Sequence, residues 1–163
     1  MLTMKKYFSS FIFICAITVA CNNAGKEKTP EPGARKETPK NQADSLMADV
    51  MDGHDIGMAK MGKLSLMQRK VQVVLDSIAA LPAKTRSAMV PYKEKMEAAL
   101  KQLKIAKNGM EKWMDEFNMD SAVNNAEQRI KYLSEEKLKV SKVKEDILTS
   151  LEKADSLIKA KIQ

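Results

Sequence analysis

The sequence predicts an all-α protein, an antiparallel three-helix hairpin or bundle of long helices occupying residues 43–163. Three observations predict it. Apolar residues recur at alternating three- and four-residue steps through three long stretches. The composition suits amphipathic helices, with 5% aromatic and 30% charged residues. The breaks between stretches are only a few residues long, so helices of roughly ten turns must fold back on one another.

The first stripe is Met47, Val50, His54, Met58, Met61, Leu64, Val71, Val74, Ile78 and Leu81, interrupted around Gln68. It predicts a helix over 44–81, capped by Asp44 or Ser45 and ended by Pro82. The second is Met89, Tyr92, Met96, Ala99, Leu103, Ala106, Met110, Trp113 and Phe117, a helix over 85–118. Pro91 and Asn108-Gly109 interrupt it as residue types but not in phase. The expectation is therefore one helix bent near Pro91, with about 1 kcal/mol lost at Gly109. The third stretch, 121–161, starts at Asp120 or Ser121. It carries Val123, Ala126, Ile130, Leu133, Val140, Val143, Ile147, Leu151, Ile158 and Ile162, with Lys and Glu on the opposite face.

Reversal around Pro82 to Lys84 places position i opposite about 167 − i, because both helices rise equally per residue. His54 then faces Trp113. Met58 lies beside Gly109 and Met110, Met51 beside Glu116 and Phe117, and Met47 beside Met119. The same arithmetic at the second turn sets Ala122 and Ala126 level with Phe117 and Trp113.

Before the helices comes a segment of another kind. Lys5 and Lys6 precede an apolar run from Phe8 to Ala20, the pattern of a secretory leader and too short for a confident membrane span. Its end, Ile17-Thr18-Val19-Ala20-Cys21, looks like a bacterial lipobox, with Thr18 where Leu is usual. The reading is a cleaved lipoprotein signal peptide over 1–20, with Cys21 as the lipidated first residue of the mature chain. More than one acyl chain, at about 0.8 kcal/mol per buried methylene, gives stable anchoring to the lipid membrane. The other cysteine, Cys15, leaves with the leader, so the mature chain has no internal disulfide and no thiol–histidine pair for catalysis. Residues 21–42 contain Pro30, Pro32 and Pro39 and almost nothing apolar, a disordered tether spanning roughly 25 Å. The expected location is a bacterial cell envelope, at the outer membrane.

Charge excludes one class of partner. The formal charge of +7 falls to +5 when Lys5 and Lys6 leave with the leader. Lys and Glu alternate along the helices and form no single-sign block, so no nucleic acid is expected.

His54 is the sole histidine, and Met58 and Met61 follow it at i+4 and i+7 on one helical face. Thioether sulfur and imidazole suit soft ions, so His54, Met58, Met61, Met110 and Met114 form a chemically sensible Cu(I) or Ag(I) set, with Trp113 as an aromatic cover. The same spacing serves a core, where methionine fills irregular gaps and touches aromatic rings. The core reading comes first and the metal reading is its alternative. No CxxCH haem attachment, no Ser–His–acid arrangement and no histidine set for zinc is present. No catalytic residue, no cofactor and no enzyme activity is therefore expected.

His54-Asp55 with Met58-x-x-Met61, then Trp113-Met114, then the tract from Tyr132 to Ile147 together resemble a group of uncharacterised small bacterial lipoproteins sometimes labelled "viral A-type inclusion protein". The resemblance implies a coiled-coil-like, lipid-anchored chain and carries no activity or site residue. The expected function is thus a membrane-anchored helical module that is structural or binds a partner. The partner would be an envelope protein or a second copy. In the third helix Leu138, Val140 and Val143 fall outside one narrow stripe, which predicts a second apolar surface for such contacts.

Overall fold

The structure, a computed structural model, describes residues 40–160. The expected signal peptide, Cys21, nearly all of the expected tether and Ile162 lie outside the described residues. Four helices form: α1 (Gln42–Ala79), α2 (Ala83–Ala88), α3 (Val90–Glu116) and α4 (Ala126–Ala160). Among the described residues there is no strand, and no helix is long and apolar enough to cross a membrane. The all-α expectation holds, and the helices pack together, with α1, α3 and α4 each touching the other two.

Helix α1 starts earlier than expected. Asn41, not Asp44 or Ser45, is its N-cap. Its Oδ1 accepts the Asp44 N–H at 2.9 Å, and the Asp44 carboxylate accepts the Lys40 N–H at 3.1 Å. The first bond satisfies one orphan donor of the helix and the second ties the residue before the cap to the first turn, and the tether expected through residue 42 gives way to helix at Gln42. The interruption at Gln68 costs the stripe little. Met67 beside it is 4% exposed, and the Gln68 amide donates to the Leu103 carbonyl of α3 at 3.1 Å.

Pro91 breaks the second expected helix where a bend was foreseen. α2 ends at Ala88, and α3 restarts at Val90 with proline in its first turn, the place where a missing N–H is harmless. Gly109, by contrast, is simply continued through, as its phase predicted.

The third expected helix begins about five residues late, because Asp120 and Ser121 belong to a turn instead of a cap. Asn118 Oδ1 accepts the Asp120 N–H at 2.9 Å, Ala122 takes a left-handed φ of 56°, and Asn125 then caps α4 through the Gln128 N–H at 3.0 Å. Ala126 is exposed and Ala122 lies in the turn, so the α4 residues that meet Trp113 and Phe117 are others, and Val123 of the expected stripe is 58% exposed. A left-handed alanine costs about 1–2 kcal/mol that glycine avoids, against about 0.5–1 kcal/mol of extra chain entropy. Ala122→Gly is therefore expected to raise stability by roughly 0.5 kcal/mol; a lower melting temperature would contradict the turn.

The core is continuous along the helices, from Val50 and Trp113 through Leu64 and Leu103 to Val71, Met96 and Leu151. Each such side chain contributes about 1.5–3 kcal/mol by leaving water. Where α1 meets α4 the approach is close. A Cβ on Gly53 would stand 3.0 Å from Val140 Cγ1, and one on Gly57 would stand 3.4 Å from Ile147 Cδ1. Asp49 and Lys137 pair at 2.7 Å across the same two helices, an exposed bridge worth roughly 0–1 kcal/mol.

Candidate functional site

The residues singled out in the sequence lie toward the end of the helices where α1 begins and α3 ends. Equal rise along antiparallel α1 and α3 does bring His54 to Trp113, with ring centroids 5.7 Å apart at 39°. From Trp113 the aromatic series continues to Phe117 at 4.9 Å and to Tyr132 of α4 at 6.2 Å, both stacked. Tyr132 also accepts the Asn118 N–H through its hydroxyl at 2.8 Å, fixing the turn to α4.

Beneath this series lies a residue that the sequence reading missed. Glu136 is only 4% exposed. Its Oε2 accepts the Trp113 indole N–H at 2.9 Å, and its Oε1 pairs with Lys139 Nζ at 2.8 Å. A buried carboxylate is tolerated only when both oxygens are occupied in this way. The Glu136 bond in turn holds the Lys139 ammonium above the ordinary lysine range by favouring its charged form. A signal was present in the sequence. Glu136 is three residues after Leu133 and four before Val140, so it sits on the buried stripe where a charged side chain needs a partner. Trp113 could not be assigned as that partner because the expected register at the second turn was wrong. Tyr92 donates to the Leu157 carbonyl at 3.1 Å, Trp113 meets Glu136 and Phe117 meets Tyr132, so the observed pairs sit some ten residues further along α4 than Ala122 and Ala126.

The predicted ligands separate by exposure. Met110 is fully buried, and a Cβ on Gly57 would lie 2.2 Å from its Cε. Gly57, not Met58, is therefore the residue of α1 set against Met110. Met58 is 38% exposed and Met114 37%, while Met61 is partly buried and packed against the core. The His54 side chain retains 22% of its surface, and its Nδ1 lies 3.0 Å from Asp55 Oδ1. Trp113 is 5% exposed, with its N–H committed to Glu136 and its ring in contact with His54 and Phe117, so it can act as a cover only from the side of His54.

Among the described residues no group of three or more His, Cys, Asp or Glu side chains is placed to hold a metal, an inventory that does not include thioethers. An open groove of about 750 Å³ runs between α3 and α4, lined in part by Lys95, Ala98, Gln102, Thr149, Lys153 and Leu157. It lies toward the other end of α3, away from the aromatic series. Of the second apolar surface expected on α4, Val140 is fully buried and Val143 is partly buried against the core, which leaves Leu138, 73% exposed. Compared with family models, curated proteins and solved structures, the chain matches none of them.

Proposed function

We propose that this chain is a lipid-anchored lipoprotein of a bacterial envelope, most simply at the outer membrane, whose antiparallel three-helix bundle is a structural or partner-binding module. The observation that carries the reading is the succession in the sequence of Lys5-Lys6, an apolar run and Ala20-Cys21, then a proline-containing polar segment, then the capped start of α1. Such a layout holds a folded domain off a membrane on a tether. The resemblance to small lipoproteins labelled "viral A-type inclusion protein" fits it.

The helical domain supports a role by surface more than by chemistry. Its buried charged group, Glu136, is consumed by Trp113 and Lys139, an arrangement that fixes helix register. Its exposed faces mix Lys with Glu and carry isolated apolar residues such as Val73, 63% exposed, and Leu138. Partners of this module would be an envelope protein or a second copy, met along the sides of the helices.

The test is metabolic labelling with a fatty acid in cells expressing the wild type and Cys21→Ala. The wild type is expected to carry label and to need detergent for extraction from membranes, and the variant to carry none. Equal labelling of Cys21→Ala would overturn the anchor.

A further inference from the structure

A scaffold leaves the His54 to Gly62 stretch unused, and the structure sorts its chemistry more finely than spacing does. Three of the soft side chains reach solvent within about one helical turn of each other. His54 and Met58 sit one turn apart on the edge of α1 that faces α3, where residues four apart lie over one another. Trp113 is opposite His54 and Met110 is against Gly57. That register puts Met114, the residue after Trp113, level with Gly53 and His54 across the same seam. Met114 is about 100° around α3 from Trp113. It is thus turned away from Glu136 and α4, toward α1.

The imidazole is oriented and partly open to solvent. A carboxylate only accepts, so the 3.0 Å contact of Nδ1 with Asp55 Oδ1 favours the neutral tautomer whose lone pair is on Nε2. A carboxylate behind the ring is the usual way in which a metal-binding histidine is held in one tautomer. The wall beside it is rigid, because Trp113 is pinned by Glu136 on one side and stacked on Phe117 at 4.9 Å on the other.

We propose that His54 Nε2 and the thioethers of Met58 and Met114 bind one soft monovalent cation, Cu(I) or Ag(I), at the seam between α1 and α3. Two thioethers and an imidazole select such ions over hard cations. Asp55 supplies negative charge through the ring, and the Trp113 face adds a cation–π contact. Met110 belongs to the core and Met61 packs against it, so neither is a ligand. The site is independent of the anchor, since all three ligands lie within α1 and α3.

The experiment uses the full chain in detergent, with Cys15→Ser and Cys21→Ser in every sample so that no thiol competes. Cu(I), kept reduced by ascorbate, is supplied from its bicinchoninate complex, and Ag(I) serves as the second probe. One ion per chain is expected, with quenching of Trp113 fluorescence in step with loading. His54→Gln, Met58→Leu and Met114→Leu are each expected to weaken binding about tenfold or more, or about 1.4 kcal/mol, at unchanged helix content. Met61→Leu and Met110→Leu should keep the wild-type affinity. The proposal is overturned if His54→Gln or Met58→Leu binds as well as the wild type, or if Met110→Leu loses as much as Met58→Leu.

Discussion

Trp113→Ala is expected to remove about 3–5 kcal/mol of stability, a large share of the roughly 5–15 kcal/mol that holds a domain of this size together. Three losses combine at that position. A 5%-exposed indole leaves a cavity among core side chains. The stack on Phe117 and the contact with His54 disappear. Glu136 loses the N–H that satisfied one of its oxygens. Trp113→Phe keeps most of the volume and stacking but removes the donor, and should cost about 1–3 kcal/mol. Glu136→Leu should fall in the same range, for the opposite reason that the indole N–H is then buried without an acceptor. Urea unfolding followed by circular dichroism reads all three, and a Trp113→Ala midpoint equal to the wild type would mean that this end of the domain is not packed as described.

Gly57→Leu is the second large effect, expected at about 3 kcal/mol, the upper end of overpacking. The first carbon of the new side chain would already stand 2.2 Å from Met110 Cε and 3.4 Å from Ile147 Cδ1, so the fully buried Met110 must move aside before the remaining three can be placed. The gain of about 1 kcal/mol from replacing a helical glycine cannot offset this. Met110→Ala alone should cost about 2–5 kcal/mol by leaving a cavity. Combined with Gly57→Leu it should cost at least about 1 kcal/mol less than the two together, since each change relieves the other. Strict additivity would contradict the close approach at Gly57. Gly62 is the control: nothing lies within 4 Å of a Cβ there, and Gly62→Ala should be neutral or stabilising.

These two sites also show what the sequence could and could not disclose. His54 against Trp113 was legible because the connection around Pro82 is short and both helices rise equally, so one reversal point fixes the register. Gly57 was not, because an apolar stripe is read from side chains and a glycine has none. Counting Met58 as the inward residue followed from that blindness, although α1 in fact buries Gly53 and Gly57 where α4 comes close. The register of α4 was lost at Ala122. Its left-handed backbone is normally announced by glycine or asparagine, and without that signal Asp120 and Ser121 looked like the cap that Asn125 provides. Pro91 was legible as a perturbation but ambiguous between a kink and a restart. Glu136 was legible as a charged residue on the buried stripe, but its partner Trp113 could be named only with the register of α4 in hand.

The most direct test of the tethered-domain account is the intact mass of the protein extracted from the membranes of the cells that make it. The account predicts a chain that begins at Cys21 and carries acyl chains on that residue. A chain that retains Met1 to Ala20, or one that begins at Cys21 without lipid, would contradict it.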